Sequence, residues 1–332
     1  QYEFLHRAAQ VAILCMGTTI VSNNITNRIK ELERTDQSKL KQEFKAICAI
    51  NDNSTDHNID KNNTNSSTYE ISQTVNNKLK NRFQNVLAKE DYRVILMGDS
   101  QEGLEDYINA VFIPSFRKQN QQFLTQLPLP TTVLDFWRLV TQYNVSLIVS
   151  FEDDLKATDQ TVGEYLPSSD NQAVTFSMFE LETKTISTNK LWQQRKVTVT
   201  ADTEYKNTKL STSAAMKEEH ILTHLKCLTT DLHPEKLLPL ICQIRSLIPS
   251  GDGRTIYMCR NGADYSGLVC VLSLLLDRMD NDGCSTVPLV VGAIKAIRPQ
   301  VIPTLAQYQL LYQVLRLYSD GSSVYANLNH TQ

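Results

Sequence analysis

The sequence predicts an α/β (α+β) domain, a buried sheet between layers of helix. Three observations predict it. Short, largely apolar runs at 92–97 (YRVILM) and 146–150 (SLIVS) look like buried strands, and 255–258 (TIYM) reads as a further strand. Stretches of helical character at 132–142, 234–247 and 268–279 alternate with them. Segment 196–201 (KVTVTA) alternates apolar with polar, as a half-exposed strand does. The 332 residues suffice for one large domain or two small ones. Hydrophobic content of 41% against 21% charged excludes a wholly disordered chain. A net charge of -3 argues against a dedicated nucleic-acid binder.

Residues 1–14 (QYEFLHRAAQVAIL) place Leu5, Ala8, Ala9, Val11 and Ala12 roughly on one side of a helix. Segment 26–40 is charged and helix-friendly. Segment 51–67 (NDNSTDHNIDKNNTNSS) has almost nothing to bury and reads as a linker or long loop. Globular texture begins at 79. Helix 234–247 carries Pro234 in its first turn, where a missing N–H costs little. Strand 255–258 leads through a loop, 259–267, into the apolar helix 268–279, and two more helices follow. The form Gln-Tyr-x-Φ-Leu at residues 1–5 returns at 307–311, a weak internal repeat. It suggests that the chain opens with the last helix of one domain and closes with the equivalent helix of a second.

The longest apolar stretches, 11–16 and 269–276, fall far short of the roughly 18–20 residues that cross a bilayer. QYEF is not a basic leader, so no signal peptide is expected. Cysteines 15, 48, 227, 242, 259, 270 and 284 are odd in number and irregular in spacing. They read as free thiols of a reducing compartment, with no zinc cluster. In that compartment the sequons at Asn24, Asn53, Asn62, Asn65 and Asn144 carry no meaning.

The unit that carries chemistry is 255–279. Cys259 ends a strand, and a loop from Arg260 to Ser266 opens a helix. Successive backbone N–H groups in such a loop can point inward at the helix N-terminus and form an anion cradle. A cysteine there lies in a positive potential, the setting of reactive thiolates. Alone, the pattern fits a buried small hydrophobe better than a nucleophile.

Four further motifs change that balance. KNRF at 80–83, DYINA at 106–110, TQLPLP at 125–130 with DFWR at 135–138, and TLAQYQLLY at 304–312 stand in order. They resemble the signature of classical protein-tyrosine phosphatase domains: KNRY, DYINA, TQGPLP with DFW, and TxEQYxF. The resemblance covers about 75–320 and implies that family's fold, a central twisted mixed sheet flanked by helices. It implies a phosphatase-like domain at 75–325 and a tail at 326–332. Residues 1–14 become the final helix of a preceding phosphatase domain. Residues 15–74 become a linker with an N-terminal helix and a disordered Asn-rich insert. The whole resembles the second, membrane-distal domain of a single-pass receptor, on the cytoplasmic side of the plasma membrane. The Asn-rich insert has an invertebrate flavour, and several invertebrate receptors of the family steer axons.

The resemblance also shows where the pattern breaks. The family loop is HCSAGxGRTG; here it is MCRNGADYSG at 258–267. Cys259 survives as a vestigial nucleophile. Tyr265 replaces the arginine that grips phosphate through two charge-assisted hydrogen bonds, each worth about 1.5–3 kcal/mol. Asp264 replaces a small residue, and a carboxylate about 5 Å from a phosphate repels it by about 3 kcal/mol per unit charge at an effective dielectric of about 20. Met258 replaces a histidine. Arg260 falls on a variable position and reads as a solvated surface arginine. Asn261, Gly262 and Ala263 complete the substrate loop. The general-acid motif WPDxGxPE aligns with LTTDLHPE at 228–235, which puts Thr230 at the acid position. Loss of the acid typically slows the reaction by about 10²–10⁴-fold. Asp231, one residue on, is a possible substitute, and His233 reads as an ordinary loop histidine. Phe83 replaces the tyrosine that stacks on phosphotyrosine, and Pro303 replaces a water-positioning glutamine. Arg82 and Asp106 are expected to pair.

The expectation is a catalytically impaired domain of a receptor phosphatase, regulatory or protein-binding in phosphotyrosine signalling. Its expected partners are the preceding catalytic domain, a second receptor copy or cytosolic signalling proteins. Nucleic acid is not among them, membrane enters only through the parent receptor, and neither cofactor nor metal is implied. The alternatives are a weak phosphatase using Cys259, a redox-sensing thiol, and a phosphotyrosine-binding domain without turnover, against which Asp264 counts.

Overall fold

In the computed structural model the described residues are 2–21, 24–52, 68–98, 105–116, 118–152, 161–201, 218–229 and 231–329. Their elements, in chain order, are α1 (Tyr2–Cys15), β1 (Ile20–Val21), α2 (Ile25–Asp52), α3 (Val75–Lys78), β2 (Arg93–Ile95), β3 (Tyr107–Ile113), β4 (Gln122–Gln126), α4 (Val133–Gln142), β5 (Val145–Phe151), β6 (Val174–Phe176), β7 (Phe179–Thr188), β8 (Trp192–Ala201), β9 (Glu218–Cys227), α5 (Pro234–Leu247), β10 (Arg254–Cys259), α6 (Asp264–Asp282), β11 (Cys284–Ser285), α7 (Val287–Ile297) and α8 (Leu305–Asn329). Among the described residues nine strands form one mixed sheet, in the order β2-β3-β4-β10-β5-β9-β8-β7-β6. The middle pairs β4–β10, β10–β5 and β5–β9 are parallel, and the outer pairs are antiparallel.

Parallel strands covered on both faces must be apolar on both faces. β10 shows why its sequence reads TIYMC. Tyr257 and Cys259 point into the core that α2, α5, α6, α7 and α8 build on one side. Ile256 and Met258 point into the core under α4, with Phe136 and Trp137. Those two rings meet edge to face, 5.3 Å between centroids, and Trp137 Nε1 donates to the Tyr165 carbonyl at 3.0 Å. The fully buried Arg138 is matched by Asp135 at 2.8 Å and by the Met97 and Glu105 carbonyls. Lys80 reaches the same Asp135 at 2.9 Å.

Helix α2 is tied to α8 through one carboxylate. Glu43 Oε1 accepts from the hydroxyls of Tyr308 and Tyr312, and its Oε2 pairs with Arg28 at 2.6 Å. Helix α1 packs on α2 and α7. β1 pairs antiparallel with β11, which begins just after Gly283 closes α6 in the left-handed conformation, φ +67°. Among the described residues no helix is long and apolar enough to cross a membrane.

Several boundaries differ from the sequence reading, and the run 92–97 is not a buried strand. Only Arg93–Ile95 forms β2, at the sheet edge, where Ile95 has no covering layer and is 52% exposed. Helix α6 begins at Asp264, a full turn before 268. The motifs at 106–110 and 125–130 contribute to strands β3 and β4, which the apolar-run criterion did not single out. Helix α2 runs on from 40 to Asp52, and the Asn-rich tract beyond it, 53–67, lies outside the described residues.

Candidate functional site

β10 is one of the two inner strands of the parallel group, and it delivers Cys259 to the carboxyl end of those strands, where ligand sites of such sheets gather. The side chain is 1% exposed. Its Sγ donates to Asn261 Oδ1 at 3.2 Å and lies 3.0 Å from Ser266 Oγ. The same Asn261 Oδ1 accepts the backbone N–H groups of Ala263 and Asp264, both at 3.0 Å. The chain can turn this tightly because Gly262 sits at φ +69°; a Cβ there would lie 2.5 Å from the Gln126 nitrogen. Gly267 lies inside α6 and meets Val301, where a Cβ would come within 2.7 Å of Cγ2. The glycine that reads as a helix start is therefore a packing contact in the helix's first turn.

Tyr265 turns its ring onto Phe151, the last residue of β5, with centroids 5.8 Å apart and planes 16° from parallel. Asp264 does not point into the cradle; its Oδ1 accepts from Gln307 Nε2 on α8. An acidic residue in a helix's first turn is also favoured by the helix dipole. Arg260 is half-buried, where a solvated residue was expected, and it lies close to Arg82. Burial first, and the Arg260 charge second, pull the Arg82 guanidinium down to about 10. Arg82 does not pair with Asp106. It donates to the carbonyls of Leu127, Pro128 and Thr161, at 2.8, 3.1 and 2.9 Å, while Asp106 pairs with Arg93 at 3.1 Å. The reason is position: the Arg82 backbone is held by Gln126 at 2.9 Å, beside the carbonyls of the next two residues.

Phe83 is half-buried against the larger core, and Pro303 is exposed after Ile302, which sits at φ +50°. Thr230 lies outside the described residues. Asp231 is exposed and engaged: Lys236 Nζ lies 2.5 Å from Oδ2, and Oδ1 accepts the His233 N–H at 3.1 Å. The lysine contact holds its carboxyl below the usual carboxylate range, so it is an anion and not a proton donor near neutrality. Among the described residues no group of three or more His, Cys, Asp or Glu is arranged to hold a metal ion.

The structure thus gathers Cys259, Asn261, Gly262 and Ala263 in one closed turn, turns Asp264 and Tyr265 away to Gln307 and Phe151, and leaves Asp231 tied to the start of α5. Two residues were missed by the sequence reading. Gln307 sits on α8 and holds Asp264; the signal was its place in the TLAQYQLLY motif. Ser266 touches the sulfur; the signal was a hydroxyl at the threonine position of the loop pattern.

Residues 77–316 match the family model described as protein-tyrosine phosphatase. The chain is 25% identical over 336 residues to human receptor-type tyrosine-protein phosphatase alpha, covering 98% of this chain and 39% of that protein. It is 26% identical over 331 residues to human receptor-type tyrosine-protein phosphatase zeta, covering 95% of this chain and 13% of that one. The chain therefore spans well under half the length of these relatives. In fold it is similar to the catalytic domain of human protein tyrosine phosphatase non-receptor type 18, with a TM-score of 0.72, 24% identity, and coverage of 88% of this chain and 99% of that one.

Proposed function

The chain belongs to the protein-tyrosine phosphatase family, and we propose that it is a non-hydrolysing member domain, binding or regulating within a receptor phosphatase. The observation that carries this reading is the Tyr265 ring, stacked on Phe151 at the position where the family pattern has its phosphate-gripping arginine. Two charge-assisted bonds of about 1.5–3 kcal/mol each are lost there. The engaged, ionised Asp231 supports the second loss, that of the general acid, for about 10²–10⁴-fold more. Cys259 is then a vestigial nucleophile, and Pro303 leaves the hydrolytic water without a guide.

Similarity to receptor-type relatives along nearly the whole chain supports placing it inside a receptor. We read it as the membrane-distal domain on the cytoplasmic side of the plasma membrane. Residues 1–14 are then the last helix of the preceding catalytic domain, 15–74 the connection, 75–325 the domain and 326–332 its tail. That catalytic domain, a second receptor copy and cytosolic signalling proteins are the partners this placement offers. An invertebrate axon-guiding receptor is the setting we propose from the Asn-rich tract.

The test is phosphate release from a phosphotyrosine peptide by the purified chain, beside its Cys259→Ser variant. We expect the two to be indistinguishable. Turnover of about 1 s⁻¹ or more, abolished in Cys259→Ser, would overturn the reading.

A further inference from the structure

We propose that the Asn261 carboxamide is a built-in occupant of the cradle, holding the loop closed in place of an anion. The inference rests on the reading of 259–267 as a disused phosphate loop, and names what fills it. One oxygen collects three donors: the Cys259 S–H at 3.2 Å and the N–H groups of Ala263 and Asp264 at 3.0 Å each. A carbonyl oxygen has two lone pairs, so three donors leave it no room for another. The two N–H groups belong to the start of α6, where backbone donors have no partner within the helix and need an acceptor from elsewhere. In an open loop an anion can supply that acceptor.

The family pattern has alanine at this position, and a methyl group offers no acceptor. An asparagine followed by glycine is a common turn former that takes a local N–H. Here the same oxygen also accepts a hydrogen bond from the buried thiol, which joins the turn to the disused nucleophile. The neighbouring side chains leave the place to Asn261. Asp264 is turned out to Gln307, and Tyr265 lies on Phe151. Asn261 thus seals the loop from inside, and the sealed loop needs no ligand to stay ordered.

The test uses the whole chain and tungstate as the oxyanion probe. In the unmodified protein the Ala263 and Asp264 amides should exchange hydrogen slowly without tungstate, and no more slowly with it. Asn261→Ala should raise both exchange rates by about 10-fold or more. Alkylation of Cys259 by iodoacetamide should rise with them. It is read on the tryptic peptide 255–260, which holds no other cysteine. Asn261→Asp keeps an acceptor of the same shape and should keep both rates low. Cys227 and Cys270, both buried, serve as the control for general unfolding.

Amides that exchange fast in the unmodified protein and slow on adding tungstate would overturn the proposal. So would Asn261→Ala rates within about 2-fold of the unmodified protein, or an Asn261→Asp variant as reactive as Asn261→Ala. Should Asn261→Ala unfold, the unmodified protein and Asn261→Asp decide. Turnover by the unmodified protein would sink the reading of the loop as disused; unprotected amides in an inactive protein would sink only the proposed occupant.

Discussion

Asp231 shows how one contact decides what a carboxyl group can do. Its partner Lys236 favours the charged form, so the folded pKa is lowered. A lowered pKa means that the interaction is present above the ordinary carboxylate value and fades as pH falls through the depressed one. Between about pH 5 and 8 the group is therefore ionised and gives no proton to a leaving group. Carboxyl-carbon NMR should place its midpoint below the ordinary 3.8, and Lys236→Met should move it back up. Gly262 is the residue with no substitute. Gly262→Ala adds a strained backbone conformation and a Cβ 2.5 Å from the Gln126 nitrogen. It should lower stability in urea unfolding by about 2 kcal/mol or more.

At the scale of elements, α2 and α7 respond in opposite directions. Glu43 is the polar fastening of α2 to α8. Its removal strands two buried tyrosine hydroxyls and leaves the largely buried Arg28 with only its longer contact to Glu31, at 3.4 Å, among the described residues. Glu43→Ala should therefore destabilise by about 3 kcal/mol, measured by urea unfolding. Gly292 lies inside α7 with nothing within 4 Å of the place a Cβ would take. Beside it is an apolar cavity of about 130 Å³, lined by Val11, Ile47, Leu289 and Ala293 among others. Gly292→Ala should stabilise by about 0.5–1 kcal/mol, because alanine loses less backbone entropy in a helix and fills part of that gap. A lower unfolding midpoint for Gly292→Ala would show that the gap closes in solution.

Across the whole molecule, the phosphatase machinery is spread over segments far apart in sequence, and its decay is spread in the same way. Tyr265→Arg, Asp264→Gly and Thr230→Asp restore the arginine, the small residue and the acid position. If Asn261 fills the cradle, those three changes leave it filled. Calorimetry should then detect tungstate binding only when Asn261→Ala is added, at a Kd below about 1 mM. Binding by the triple variant alone would show that arginine displaces the carboxamide. Much of this plan was legible in the residues. The runs 146–150 and 255–258 announce buried parallel strands, because covered strands must be apolar on both faces. The motifs at 80–83, 106–110 and 125–130 place the phosphatase scaffold. The start of α6 was not legible, because Gly267 reads as a boundary and only contact with Val301 shows it as packing. The Arg82–Asp106 pairing failed for a related reason. Two motif charges suggest a pair, but the carbonyls of Leu127 and Pro128 lie nearer to hand.

The sequence by itself determined the layered fold, the family and the missing arginine, because each is a matter of residue type at a spacing. Only the tertiary structure decided where the remaining side chains of the loop turn. Asp264 goes to Gln307, 43 positions away, Tyr265 goes to the end of β5, and Asn261 goes inward to the sulfur. The first two choices depend on which donors and rings the folded chain brings within a few ångströms, and no local spacing encodes them. The third is local in reach, its donors lying within three positions, and only the burial of Cys259 at the end of β10 turns it into a seal.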